Sequence, residues 1–183
     1  MEYKFSNRAL SAKPSRIREI SARGAIDPEF ISFAIGNPAY ETFPVEEIRR
    51  CNDLIYERCP KYALQYGPTI GDDGFRELVK ERLQKIKGIN PEGNDILVTS
   101  GSQQGLDFSA RVFLNPGDVV LLESPSYLGA VNAFKACEPK FIEVPTDDGG
   151  MIMEELEKIL ATTERVKMIY VIPDFQNPTG RTW

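Results

Sequence analysis

From Pro91 onward, short apolar runs alternate with amphipathic helical stretches, and this alternation constrains the fold more than any other feature. Ile96-Leu97-Val98-Thr99 precedes a helical spacing through Leu106, Ala110, Phe113 and Leu114. Val119-Val120-Leu121-Leu122 precedes a helical stretch around Tyr127–Cys137. Lys140-Phe141-Ile142-Glu143-Val144 leads through the turn Asp147-Asp148-Gly149-Gly150 to a helix carrying Ile152, Leu156, Ile159 and Leu160. A last run, Met168-Ile169-Tyr170-Val171-Ile172, follows. Strands that are apolar on both faces and separated by helices imply a mostly parallel sheet covered by helices, an α/β architecture.

The upstream part reads differently. Residues 1–44 are polar and punctuated by proline, with a short basic helix candidate at Ser15-Arg16-Ile17-Arg18-Glu19-Ile20. A strand-like run, Phe30-Ile31-Ser32-Phe33-Ala34-Ile35, stops at the breaker Gly36-Asn37-Pro38. Pro44 then opens a helix with apolar positions at Val45, Ile48, Cys51 and Ile55. A second helix carries Phe75, Leu78, Val79, Leu83 and Ile86, with Gly88 as its stop.

Composition narrows the class. With 183 residues, 42% of them hydrophobic and 27% charged, the chain has the make-up of a soluble globular domain. Its net charge of -5 argues against nucleic acid or an anionic membrane as the main partner. No apolar stretch approaches the ~20 residues needed to span a bilayer, and the N-terminus lacks the apolar core of a secretory signal. The three cysteines are odd in number and scattered, which fits free thiols in a reducing cytoplasm. The chain contains no histidine. A metal site is therefore not expected, and Ser-His or Cys-His catalytic pairs are excluded within these residues.

Parallel sheets bind ligands beyond the carboxyl ends of their strands. Three polar, loop-forming segments are expected there: Ser100-Gly101-Ser102-Gln103-Gln104, Glu123-Ser124-Pro125-Ser126-Tyr127, and Pro173-Asp174-Phe175-Gln176-Asn177-Pro178-Thr179-Gly180. The first turns from strand to helix, so glycine permits the bend and free N–H groups at the helix start offer an anion site. Ser102 adds a hydroxyl. Tyr127 could stack on a flat heteroaromatic ligand. Asn177 before a proline could project its amide into a cleft. Taken singly, each has a plainer reading: an N-cap, a packing tyrosine, an ordinary turn. Their order along one sheet edge is harder to assign to coincidence.

At these residues the chain resembles the class I/II aminotransferases of the fold-type I pyridoxal-phosphate (PLP) superfamily. The likeness points to the branch of 2-aminoadipate, aromatic and kynurenine aminotransferases. Six pieces carry it, in the family's order: the stretches 14–20, 31–38, 64–68, 99–107 and 123–127, and Pro173-Asp174-Phe175-Gln176-Asn177-Pro178-Thr179-Gly180. The resemblance implies a three-layer sandwich with a mostly parallel sheet. Residues 1–44 would form an N-terminal arm belonging to the small domain, and 45–183 an incomplete large PLP-binding domain. Ser102 and Gln103 would bind the cofactor phosphate, and Tyr127 would stack on the pyridine ring. Asn177 would hydrogen-bond the ring's phenolic oxygen and face the substrate carboxylate. Tyr66 would reach the phosphate in the neighbouring subunit of a homodimer. Gly36 would lie against the substrate, and Arg16 and Ile17 would belong to an arm that shapes substrate choice. The substrates implied are an amino acid and a 2-oxo acid, in the cytoplasm.

The family's chemistry also needs a lysine in a Ser-x-x-Lys context and an aspartate for the pyridinium nitrogen, both beyond the Asn-Pro-Thr-Gly segment. No lysine here stands in that context, and the sequence ends at Arg181-Thr182-Trp183. The 183 residues alone are thus expected to be inactive, with the last strand left as an apolar sheet edge. A fragment of a longer enzyme, or a truncated product, is the leading reading. The alternatives are another fold-type I enzyme such as a lyase or synthase, the sensing domain of an aminotransferase-like regulator, and a non-catalytic remnant.

Overall fold

The computed structural model describes residues 3–11, 29–31, 36 and 38–183. They fall into two compact units, Met1–Ser11 with Val98–Trp183, and Ala12–Leu97. The first begins with a short helix, α1 (Asn7–Ser11).

The unit Ala12–Leu97 is helical where it is described. A 3-10 turn at Tyr40–Thr42 precedes α2 (Val45–Arg58), which starts directly after Pro44 as expected. A single turn, α3 (Pro60–Ala63), follows, and then α4 (Asp73–Lys87). Asp72 caps α4 by accepting the Phe75 N–H at 2.8 Å. Gly88 ends it at φ +67°, the left-handed stop that glycine adopts without strain. The buried residue of α4 is Arg76, whose guanidinium joins Asp73, Asp95 and the Ile96 carbonyl. The Ile96 N–H, with Arg76 and Lys80, holds the Asp95 carboxyl down to about 2. The expected strand at Ile96-Leu97-Val98-Thr99 is not formed among the described residues. A strand needs a ladder partner, and here the Ile96 carbonyl accepts from Arg76 Nε at 2.8 Å instead. Phe30 and Ile31 are irregular, and the rest of that expected strand lies outside the described residues.

The other unit is a sheet between helices. β1 (Val119–Ser124) is its centre, paired in parallel with β2 (Lys140–Asp147) on one side and β4 (Val166–Tyr170) on the other. A short strand, β3 (Gly150–Met151), pairs antiparallel with β2. The order is β3-β2-β1-β4, which makes β4 an edge, as the sequence led one to expect. The Asp147–Gly150 turn thus closes a small hairpin, a detail that periodicity did not reveal.

Successive side chains of β1 point to opposite faces, and both faces are covered. Val120 and Leu122 pack with Ala110 and Leu114 of the first helical stretch and with Ala130, Ala133 and Phe134 of the second. Those stretches form α5 (Ser102–Phe113) and α6 (Leu128–Lys135). Val119 and Leu121 pack on the other face with Val144 and Met151, against Leu156 and Ile159 of α7 (Met153–Thr162). Helix, sheet and helix make three layers, as expected. At the base of β1, the buried carboxyl of Asp118 accepts the Asn115 N–H and two bonds from Arg165, and these depress its pKa.

Candidate active site

The residues singled out after β1 and β4 come together at the carboxyl end of the sheet. Helix α5 starts with Gly101 as N-cap at φ +77° and ψ 169°, and no side chain caps it. A non-glycine residue is strained at that φ, so glycine at 101 is a backbone requirement. Neighbouring polar groups are spent on the turn: Gln104 Oε1 accepts the Ser100 N–H at 2.6 Å, and Thr99 Oγ1 donates to the Gly101 carbonyl. The first N–H groups of α5, with the exposed Ser102 hydroxyl, remain as donors at a positive helix end.

Gln103 ties this helix start to the next segment. Its amide Nε2 donates to the Gly129 carbonyl at 3.2 Å. That bond uses one of its two amide hydrogens, so the second, with the backbone N–H, is still open to an anion. Tyr127 is half-buried against the α5/α6 core cluster, with its ring lying over Gly129. A methyl group at Gly129 would overlap that ring, so the glycine makes room for the tyrosine. The packing and stacking readings of Tyr127 are compatible: one part of the ring contacts protein while another is accessible.

Asn177 lies in the turn after β4. Phe175 adopts φ +52°, unusual for a non-glycine residue, and the chain alternates from exposed Phe175 to buried Gln176 to exposed Asn177. Ser124–Pro125 and Asn177–Pro178 are both cis peptides. The side chain of Asn177 has no hydrogen-bond partner among the described residues, which leaves its amide available.

Two residues quoted in the motifs, but given no role from sequence, organise this end of the sheet. Gln176 is 4% exposed, and its Nε2 donates to the Pro125 carbonyl at 2.8 Å and to Glu123 Oε2 at 3.4 Å. Its Oε1 accepts from the Thr179 N–H at 2.9 Å and the Thr179 hydroxyl at 2.7 Å. Glu123 is 1% exposed at the end of β1 and accepts the Ile172 N–H at 3.0 Å. Its other oxygen, Oε1, and the hydroxyl of Ser126 are buried without partners among the described residues. The available signal was a carboxylate directly after four apolar strand residues, a position where a charge is rarely unpaired. Nearby, burial first, and then Tyr127 and Glu123, push the Tyr170 phenol above its ordinary pKa. The ring of Tyr170 meets Phe134 edge-on at 5.6 Å.

Tyr66 and Gly36 belong to the unit Ala12–Leu97. Tyr66 is fully exposed, its N–H donating to its neighbour Gln65 Oε1 at 2.9 Å. Gly36 has open space where a side chain would stand. Arg16 and Ile17 lie outside the described residues. Among the described residues no cluster of metal-ligating side chains occurs, and no helix is long and apolar enough to cross a membrane.

A helix start, an aromatic ring and an amide stand at the carboxyl end of a parallel sheet, the place where α/β proteins of this class bind ligands. Comparison with known proteins makes this specific. The family model for aminotransferase class I and II matches residues 28–183. The aromatic-amino-acid aminotransferase 1 of Thermococcus litoralis is 44% identical over 182 residues, covering 97% of this chain and 43% of the relative. The 2-aminoadipate transaminase of Thermus thermophilus is 42% identical, covering 96% and 42%. Among solved structures, Pyrococcus horikoshii kynurenine aminotransferase, in complex with PMP, superposes with a TM-score of 0.90 at 44% identity, covering 97% of this chain and 45% of that one. The α-aminoadipate aminotransferase of Thermus thermophilus, complexed with N-(5'-phosphopyridoxyl)-L-leucine, gives 0.82 at 42% identity. The chain belongs to the class I and II aminotransferase family. It spans less than half the length of these relatives.

Proposed function

We propose that the chain is the amino-terminal part of a PLP-dependent aminotransferase that moves an amino group from an amino acid to a 2-oxo acid, as a cytoplasmic homodimer. The observation that carries this reading is the meeting of three unlike groups at one sheet end. They are the uncapped start of α5, the Tyr127 ring seated over Gly129, and the Asn177 amide on a turn bound to the end of β1. The groups fit PLP chemically. A phosphate matches free N–H donors at a helix start, a pyridine ring matches an aromatic face, and a phenolic oxygen matches an amide donor. The unpartnered Ser126 hydroxyl marks the same strand end as a place where a further polar group can be received.

Ser102 and Gln103 would hold the phosphate with backbone and side-chain donors. Tyr127 would cover the ring, and Asn177 would orient it and face the substrate carboxylate. Gly36 and Arg16 would lie on the substrate side, and Tyr66 would serve the partner subunit's phosphate. Residues 1–44 would be the arm, and 45–183 part of the large domain. When bound, the cofactor supplies an electron sink for the bond broken at the substrate α-carbon. This chain contributes binding and orientation only. It has no lysine in a Ser-x-x-Lys context, so these 183 residues alone are expected not to transaminate.

The names of the relatives favour aromatic, kynurenine-like or 2-aminoadipate donors. The test is to express the gene with all downstream coding sequence, add PLP, and assay these donors with 2-oxoglutarate. Amino transfer with a cofactor absorbance band supports the reading. A loaded protein that only eliminates or decarboxylates would make it a lyase, and a protein that takes up no PLP would end it.

A further inference from the structure

We infer that Gln176 is a positioning residue that fixes the direction of the Asn177 amide by riveting its turn to the end of β1. The inference rests on the PLP reading above and deepens it.

The argument starts from how much of Gln176 is committed. Its N–H donates to the Arg181 carbonyl at 2.7 Å, and its carbonyl accepts the Gly180 N–H at 2.5 Å. Its side-chain oxygen closes the turn from inside through both Thr179 donors. Its side-chain nitrogen crosses to the Pro125 carbonyl and Glu123 Oε2. Asn177, the next residue, has no such bonds of its own, so its orientation is inherited from the neighbours that hold the turn. Pro125 stands two residues before Tyr127. One buried amide therefore sets the spacing between the segment that carries the aromatic ring and the segment that carries Asn177. Only an amide does this here, because the site presents acceptors on one side (Pro125 O, Glu123 Oε2) and donors on the other (Thr179 N–H and O–H). A glutamate would set an acceptor against acceptors, and a hydrophobic residue would take their side-chain partner from the Pro125 carbonyl and the Thr179 N–H.

The consequence is readable in the cofactor. A hydrogen bond to the charged form of a phenolic oxygen lowers its pKa, and misdirecting the donor raises it. With the native protein, expressed with all downstream coding sequence and loaded with PLP, the absorbance band of the bound cofactor is titrated against pH. Gln176→Met keeps length and removes every side-chain bond. It is expected to raise the midpoint by about one unit and lower kcat/KM by roughly 10–100-fold. Thr179→Val removes one hydroxyl donor and is expected to shift the midpoint less, in the same direction, while Thr179→Ser restores the native value. Added to Asn177→Ala, the change Gln176→Met should give no further shift, since both act through one amide.

A folded, loaded Gln176→Met protein titrating at the native midpoint overturns the inference. If that variant does not fold, a native midpoint in Thr179→Val overturns it equally. An additional shift on the Asn177→Ala background also overturns it, because Gln176 would then act by another route. If the native protein itself takes up no PLP, the failure belongs to the functional reading, and the inference falls with it.

Discussion

β1 and α2 are both strongly patterned in the sequence, yet they meet different fates. Val119, Val120, Leu121 and Leu122 are all buried, with two helices over one face and α7 over the other. In α2, Val45, Ile48 and Ile55 keep the helical spacing but remain 52%, 54% and 41% exposed, and no residue of the helix is buried. Periodicity reports which face an element wants to cover. It does not report whether the cover comes from the same stretch of chain. β1 finds its neighbours within about fifty residues before or after it in the chain, whereas the apolar stripe of α2 finds no burying partner among the described residues.

The difference is sharpest at Phe134, buried on α6 between β1 and Tyr170. Phe134→Ala is expected to cost about 3–5 kcal/mol, the usual range for emptying such a site. Denaturant unfolding followed by far-UV circular dichroism measures it. A loss below about 1 kcal/mol would mean that the β1 core is no better packed than α2, and the contrast would collapse.

Gly129 tests function against packing within the β1 region. Alanine there is the better helix former, by roughly 0.5–1 kcal/mol, but its methyl group would overlap the Tyr127 ring. The ring is the mobile partner and would swing away. Gly129→Ala is expected to keep its unfolding midpoint while weakening PLP binding in the full-length protein about tenfold, a loss of about 1.4 kcal/mol. Unchanged binding would show that Tyr127 is a packing residue and nothing more.

Much of this was legible beforehand, for a physical reason. The longer helices α2, α4, α5, α6 and α7 and the strands β1, β2 and β4 announce themselves through local patterns, since each element's apolar spacing is set by its own geometry, while the short α1 and α3 do not. Gly88 marks a helix end by chemistry that acts within four residues, whereas the Asp72 cap at the other end of α4 came only with the structure. Ser102, Tyr127 and Asn177 could be placed at one sheet edge because topology alone carries them there. Other features depend on distant pairings. Gln176 and Glu123 meet across 53 positions, and Arg76 takes the Ile96 carbonyl that a strand would have used. No periodicity encodes such bonds. The β2–β3 hairpin was hidden because β3 is only two residues long.

Asp95 probes the α-helical unit by pH. Its carboxyl is held at about 2, mainly by the Ile96 N–H and then by Arg76 and Lys80. In the unfolded chain a carboxyl of this kind titrates near ~3.9. The depressed value means that its stabilising effect is complete above that pH and disappears as the pH falls through about 2. Between pH 4 and 2, Asp95→Asn should therefore lose less stability than the native chain, and the two should differ most above pH 4. Parallel acid-titration slopes would show that the Arg76 cluster does not hold the end of α4 in solution.

The smallest effect is expected at Ile48. Burying an isoleucine contributes roughly 1.5–3 kcal/mol, but a side chain left 54% exposed realises only part of that. Ile48→Ala is expected to change the stability of these 183 residues by no more than about 0.5 kcal/mol, since alanine also gains in helix propensity. The informative measurement is the same substitution in the protein expressed with all downstream coding sequence. A cost there of about 2 kcal/mol or more would show that α2's stripe is covered by residues beyond this stretch or by a second subunit. Dilution separates those two: only a subunit contact makes the cost depend on protein concentration. An equally small cost in both settings would mean that α2 keeps an apolar face to solvent, and its spacing would then report helix formation alone.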